Sequence, residues 1–290
     1  MTLQDETFIQ AILENPQEEA NWLVYADWLE ERGDPRAALY RRRRLTNGLG
    51  MQFVLVPKGT FWMGGGGGKP GERHVEIPHE FYLGVYPVTQ GEWQAVMDSN
   101  PSYFSRTGGK DKVKNVSDAD LQRFPVEMVS WDDAQEFARK LNECDKTVGG
   151  WLYRLPSEEE WEYSCRGGAR SKDDCAFDFY LGSPTNDLSS THANFNGNHH
   201  AGQAARGPCL ERTTKVGSYP PNRLGICDLH GNVWEWTASV EGSVRVLRGG
   251  SWSYSGSGCR AADREGHAPS ARDRDIGFRI ALSPSGTKGG

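Results

Sequence analysis

No stretch of the 290-residue chain runs to eighteen apolar residues, so no segment has the length of a membrane-spanning helix. Positive charge is not in excess: 33 Lys and Arg stand against 39 Asp and Glu, a formal net charge of −6. That balance argues against nucleic acid and anionic membrane surfaces as partners. The opening MTLQDETF is acidic, with neither the basic n-region nor the apolar h-region of a signal peptide, which makes the cytoplasm the expected location. The six cysteines, at 144, 165, 175, 209, 227 and 259, include no CxxC pair and no zinc spacing. In a reducing compartment they are expected as free thiols, mostly small buried hydrophobes. Apolar residues reach only 37%, whereas Trp (ten), Gly (35) and Pro (15) are plentiful. This mixture suggests a loop-rich fold pinned by aromatics, not a helical bundle.

Residues 1–45 read as a small helical module. Phe8, Ile9, Ile12 and Leu13 share one helix face, and Pro16 ends that helix. Trp22, Leu23, Tyr25, Ala26 and Leu29 form the next stripe, closed by Gly33; Asp34 then suits an N-cap with Pro35 at the first turn of a third helix. The run Arg41–Arg44 reads as a solvated helix end. Residues 46–50 are taken as a linker, 51–283 as the main domain and 284–290 as a flexible tail. In the main domain, Phe53–Val56, a Pro57-Lys58-Gly59 turn and Phe61–Met63 predict a hairpin. Gly64 to Gly68, with no phosphate-loop Lys-Ser/Thr after it, predicts a flexible loop. Capping boxes at Thr89/Glu92, Ser130/Asp133 and Ser157/Glu160 predict three helix starts. Beyond residue 168 helical periodicity fades, and short strands between long loops are expected.

The segments FVLVPKGTFWMG, YPVTQGEW, PVEMVSWDDAQEFARKLN, YRLPSEEEWEYSCRGG, TTKVGSYPPNRLGICDLHGNVWEWT, RVLRGGSW and IGFRIAL resemble, in order and spacing, the formylglycine-generating-enzyme (sulfatase-modifying-factor) family. The resemblance implies an α+β variant of the C-type-lectin fold, with little regular structure and a small antiparallel sheet. Separately, AILENP followed by LVYADWLEERGDPRAALYR resembles a short repeat-companion module of planctomycete-type bacteria, which implies an adaptor.

The family resemblance also implies sites. One calcium is held in the family by carboxylates and carbonyls around GNVWEW, and the matching positions are Asp228, Gly231, Val233 and Glu235. A weaker second site falls on Asn194 and the carbonyl of Phe195, with Pro208 near the position of the family's Asp. Family enzymes oxidise a substrate cysteine with oxygen and copper(I) held by two cysteines five apart. Cys259 matches the second cysteine and Ser251 a residue near the oxygen site, but Tyr254 occupies the first cysteine's position. A phenol is a poor ligand for a soft monovalent metal, so copper is not expected. The related sulfoxide synthases use three histidines, mostly from an added helical domain. Here residues 1–45 hold no histidine, and His199-His200 sit in an Asn/Gly-rich loop.

Residues 252–275 also resemble variable proteins of diversity-generating retroelements, which display binding residues on this domain. The fixed frame is Trp252, Cys259, Arg260, Arg264, Pro269 and Arg272, and the display positions would be Tyr254, Ser255, Ser257, Asp263, Glu265, His267, Ser270 and Asp273. The alternation Arg272-Asp273-Arg274-Asp275 predicts a local ion-pair network. The favoured reading is a lectin-like protein binding a protein, peptide or small ligand through this surface. The alternative is a copper- and oxygen-dependent oxidase that converts a protein cysteine to formylglycine.

Overall fold

Ser/Thr-x-x-acid tetrads start helices where their spacing predicts. Thr89 caps Gln90–Met97, Ser130 caps Trp131–Cys144 and Ser157 caps Glu158–Cys165, each with the reciprocal bond from the acid three residues on. The helix Trp131–Cys144 buries Ala134, Phe137, Ala138 and Leu141, the face expected from its periodicity. Phe137 stacks on Trp93 at 5.5 Å and meets the edge of Phe278 at 5.4 Å, tying two helices to a C-terminal strand. The structure, a computed structural model, describes residues 3–285.

Two sheets organise the remainder. One orders the strands Arg44–Thr46, Gln52–Val56, Phe81–Gly84, Ala281–Pro284 and Trp151–Arg154, all antiparallel. The other orders Arg264–His267, Val244–Arg248, Trp234–Glu241 and Ile276–Phe278. Its last pair is parallel, so this sheet is mixed, while the five-stranded sheet supplies the antiparallel sheet expected. Between Phe278 and Ala281 the chain crosses from one sheet to the other, and the fully buried Arg279 sits at that crossing. Among the described residues no helix is long and apolar enough to cross a membrane.

Several local expectations are corrected. Gln52–Val56 does not pair with the next strand, because both its edges are already occupied by Arg44–Thr46 and Phe81–Gly84. Gly59–Gly66 pairs instead with Lys69–Ile77. The glycine run is thus the end of a hairpin. A Cβ on Gly65 would lie 2.4 Å from the Gly71 nitrogen, and one on Gly71 would lie 1.8 Å from the Met63 carbonyl, so the two backbones approach as only glycine permits. Within the expected linker, Thr46 ends a strand, and the Asn47 side chain accepts from the amides of Leu49 (3.0 Å) and Met51 (2.9 Å) to build a turn. Pro284 belongs to the final strand, and the rest of the expected tail beyond Ser285 lies outside the described residues.

The N-terminal helices Leu3–Glu14, Glu19–Glu30 and Ala37–Arg41 contribute to the same continuous core as the main domain. Asp34 accepts from the Arg36 amide at 2.9 Å, and the third helix starts at Ala37, two residues later than expected. Glu80 joins the two parts: it accepts from the Tyr40 hydroxyl at 3.0 Å and faces Arg36 at 3.4 Å. Leu13 packs on Gly168, where a Cβ would come within 2.4 Å of it, and Arg223 donates to the Leu13 carbonyl at 3.1 Å. Of the Arg41–Arg44 run, Arg41 pairs with Asp27 and Glu30, and Arg43 donates to the Pro16 carbonyl at 2.9 Å.

Candidate functional site

Chain direction around RGGSW is set by buried charge. Arg248 ends its strand and is fixed by Glu158 at 2.8 Å and Glu162 at 3.0 Å, both on the helix that Ser157 caps. The same guanidinium reaches the carbonyls of Ala261 and Ala262, which holds the approach to the strand Arg264–His267. Gly249 (φ 103°) and Gly250 (φ 73°) then turn the chain in left-handed backbone. A Cβ on Gly250 would sit 2.6 Å from the Cys259 sulfur, so glycine is required for that thiol to pack where it does.

Beyond this turn the chain encloses a cavity of about 240 Å³ at the end of the four-stranded sheet. Trp234 and Tyr254 line it, their rings edge to face at 5.2 Å. Glu265 and His267, two apart on one strand, present to the same side. Trp252 and the segment Asp273–Ile276 complete the wall. Ser251 and Ser253 donate their hydroxyls to Asp275 Oδ2 at 2.7 and 2.6 Å, and the Trp252 indole donates to the Arg274 carbonyl at 3.1 Å. The Tyr254 hydroxyl donates to Glu265 at 2.9 Å; burial first, and then this carboxylate, push its pKa up to about 12. His267 faces the other Glu265 oxygen at 3.3 Å.

The structure therefore brings Trp252, Tyr254, Glu265, His267 and Asp273 together in one cavity, as a shared surface would require. It does not bring in Ser255, Ser257, Asp263 or Ser270: Ser255 and Ser257 bond each other at 2.9 Å on a separate turn, Asp263 pairs with Arg260 at 3.7 Å, and Ser270 is exposed. Sequence reasoning missed Trp234, Ser253 and Asp275. It placed Arg272–Asp275 in a local ion-pair network, and the structure corrects this. Arg272 pairs with Asp133 at 2.7 Å, and Arg274 lies over the rings of Trp252 (5.6 Å) and Tyr103 (5.8 Å). Among the described residues Asp273 and Asp275 form no ion pair. The detectable signal was the Asp-x-Asp spacing ahead of a strand, which puts both carboxylates near one sheet end. Beneath the cavity, Glu127 accepts from the amides of Tyr103 (3.0 Å) and Phe104 (2.8 Å); burial, with Asp275 and Asp273 adding to it against those bonds, raises its pKa to about 8.

Cys259 is fully buried, its thiol directed to the Ser255 carbonyl at 3.6 Å, and burial pushes its pKa up. It is not part of the cavity lining, whereas Tyr254 is. Across His230, whose Nδ1 meets the Cys259 carbonyl at 2.8 Å, Cys165 approaches Nε2 at 3.5 Å. Because the Tyr180 amide donates to Nε2 at 3.0 Å, Nδ1 carries the proton; burial lowers the imidazole pKa to about 4, so the ring is neutral. All six cysteines are free, Tyr254 stands five residues before Cys259 where the family's paired sulfur would be, and among the described residues no cluster of three or more His, Cys, Asp or Glu is placed to hold a metal. The residues present do not fit a two-sulfur copper site.

The expected calcium positions also meet other partners. Glu235 is wholly buried; its Oε1 accepts from Arg279 at 2.6 Å, and its Oε2 accepts from Arg279 and from the Trp161 indole, both at 2.7 Å. Asp228 accepts from the Gly217 amide at 2.7 Å, and the Gly231 carbonyl from the Val233 amide at 3.0 Å. A divalent cation here would stand against a buried guanidinium, so this arrangement does not fit calcium. At the second expected position, Asn194 donates to the Arg212 carbonyl at 3.0 Å and to Asn232 at 3.1 Å, and Phe195 packs in an apolar cluster. Both act as cross-links within the protein.

The family model for the sulfatase-modifying factor enzyme 1-like domain matches residues 42–284. Inactive C-alpha-formylglycine-generating enzyme 2 of Bos taurus is 27% identical over 289 residues, covering 82% of this chain and 90% of that protein. The formylglycine-generating enzyme of Mus musculus is 32% identical over 177 residues, covering 54% of this chain and 44% of that protein. Among solved structures, Treponema denticola variable protein 1 superposes with a TM-score of 0.61 at 24% identity, covering 83% of this chain and 98% of that one. The last of these likenesses establishes shared fold, the formylglycine-generating variant of the C-type-lectin architecture.

Proposed function

The chain belongs to the sulfatase-modifying factor enzyme 1-like family, and from that premise we propose that it is a lectin-like binding protein, not a formylglycine-generating oxidase. Its ligand, a protein, a peptide or a small molecule, is taken in the cavity walled by Trp234, Tyr254, Glu265 and the Asp273–Ile276 segment. The observation that carries this reading is the fate of the paired-cysteine positions. Tyr254 faces the cavity and is bonded to Glu265, while the Cys259 thiol is buried away from it. A lone protonated thiol beside a phenol supplies neither the two soft ligands nor the thiolate that copper(I) chemistry needs. The bovine relative that matches most of the chain is itself named as inactive, which supports the same reading.

The decisive assay incubates purified protein with copper(I), oxygen and a peptide containing CxPxR, and follows peptide mass. No change of mass is expected; loss of about 18 Da from the cysteine, the chemistry of formylglycine formation, would overturn the binding reading. Diversification of the surface is a finer reading, supported by four display positions, Tyr254, Glu265, His267 and Asp273, lining one cavity. A reverse transcriptase gene beside a near-repeat of the segment encoding residues 252–275 is its expected genomic signature, and absence of both would refute it.

A further inference from the structure

We propose that the cleft between the N-terminal helix Leu3–Glu14 and the turn after the helix Glu158–Cys165 is an anion site that takes a phosphoryl group, as inorganic phosphate or as a phosphate monoester. The cleft shares no lining residue with the cavity of the binding reading and does not depend on that reading. At about 430 Å³ it lies within the ~300–1,000 Å³ usual for small-molecule sites, so a phosphoryl group with an organic substituent has room. Two guanidiniums line it. Arg170 and Arg223 are both half-buried, and among the described residues neither forms an ion pair. Arg170 donates only through Nη1, to the neutral Gln10 side chain at 3.1 Å. Arg223 donates only through Nη2, to the carbonyls of Leu13 at 3.1 Å and Gly167 at 3.5 Å. Each therefore keeps Nε and one terminal nitrogen for a ligand. The planar guanidinium fork matches the spacing of phosphate oxygens, and partial burial strengthens that pairing.

The main chain supplies a second, independent observation. Gly167 (φ 66°) and Gly168 (φ 76°) turn the chain in left-handed backbone, and after them the consecutive amides of Arg170 and Ser171, both lining residues, meet no acceptor among the described residues. Successive open amides in a turn are anion-binding elements. The cleft also carries two acids, Glu14 and Asp174, and they decide the charge a ligand needs. Both are exposed, and each accepts from a neutral donor: Glu14 from Gln10 at 2.7 Å, Asp174 from the Ser171 hydroxyl at 2.7 Å. Neither pairs with Arg170 or Arg223. Solvent and salt screen exposed acids more than half-buried guanidiniums, so the cations prevail inside the cleft. A dianion gains from both arginines at once, whereas a single carboxylate gains less against the same two acids. Because Arg223 already holds the Leu13 carbonyl, a bound phosphoryl group would fasten the N-terminal helix to the main domain.

Isothermal titration of the full chain tests this with inorganic phosphate, phenyl phosphate and acetate, at constant ionic strength and at a pH where a phosphoryl group carries two charges. Both phosphates should bind one to one, and acetate about tenfold or more weaker, as expected when charge-assisted contacts are lost. Arg170→Gln should weaken phosphate binding about tenfold, while Arg206→Gln, at an exposed arginine outside the cleft, should leave it unchanged. Arg223→Gln should weaken it as well. That variant also removes a tie between helix and turn, so Ser171→Glu, which sets a negative charge at an exposed lining position, replaces it if it does not fold. Bound phosphate should slow hydrogen exchange in Leu3–Glu14, whose last turn borders the cleft. Tighter binding of phenyl phosphate assigns a monoester, and binding of inorganic phosphate that is as tight or tighter assigns the free ion. The proposal is overturned if acetate matches the phosphates, if Arg206→Gln weakens binding as much as Arg170→Gln, or if Arg170→Gln and Ser171→Glu both leave it unchanged. Saturable binding with unchanged exchange in that helix would place the phosphate elsewhere, and no saturable binding up to tens of millimolar would remove the site altogether.

Discussion

Replacing Glu235 with glutamine removes the counter-charge from a guanidinium that has no access to water. Arg279 is fully buried, donates to both Glu235 oxygens at 2.6 and 2.7 Å, and spends its remaining donors on the carbonyls of Gly84 (2.9 Å) and Cys227 (3.0 Å). Breaking such a pair from one side typically costs about 3–5 kcal/mol, because the surviving charge stays buried. Glutamine keeps one acceptor but turns an amide toward the other donors, so Arg279 and the Trp161 indole cannot both be satisfied. That loss is coupled to the first and is not added to it. At roughly 2 °C per kcal/mol for a chain of this length, the melting temperature should fall by roughly 6–10 °C. Thermal melts followed by circular dichroism would measure it, with calcium and with chelator in parallel. Because the partner is Arg279, the two drops should be equal. Adding Arg279→Met to remove both charges should recover part of the loss. A drop confined to the calcium-containing sample, or one below about 1 kcal/mol, would refute the assignment of Glu235 as a structural counter-ion.

Glu127 should make stability fall as pH rises. Burial raises its folded pKa to about 8, so between the ordinary carboxyl value of 4.5 and 8 the folded state holds a proton that the unfolded chain has lost. Urea melts at pH 5 and pH 8 should show this decline, and Glu127→Gln should flatten it; parallel curves for the two proteins would contradict it. Tyr254→Cys should create copper(I) binding absent from the parent, by returning a second sulfur to the family's spacing beside Cys259, and equilibrium competition with a copper(I) chelator would measure it. No gain would mean that the Cys259 pocket itself excludes the metal. Gly71→Ala should destabilise the glycine hairpin by about 1–3 kcal/mol or more, since its Cβ would lie 1.8 Å from the Met63 carbonyl. Faster hydrogen exchange across Gly59–Ile77 would locate the damage there.

Much of the local structure was legible because it depends on neighbours in the chain. The capping boxes at Thr89, Ser130 and Ser157 satisfy helix amides three residues away, so their geometry is written in adjacent residues. The aromatic content and the fading of helical period after residue 168 likewise anticipated short strands and loops, which the ladders from Phe179 onward bear out. Strand partners were less accessible. Nothing in Phe53–Val56 states that both its edges are taken, or that a five-glycine run closes a hairpin, because pairing is decided by segments distant in sequence.

The candidate site divides along the same line. From sequence came the broken cysteine pair, which only the resemblance to the formylglycine-generating family makes visible, and the concentration of Ser, Tyr, His and acidic residues in 252–275, for which residue identity suffices. Only the tertiary structure decided that Glu235 belongs to Arg279, 44 residues on, and that Asp275 and Trp234 face Tyr254 across one cavity. Carboxylates and guanidiniums interact through space, and which charge neutralises which is set by how the chain crosses between its two sheets, a property no short stretch of residues contains.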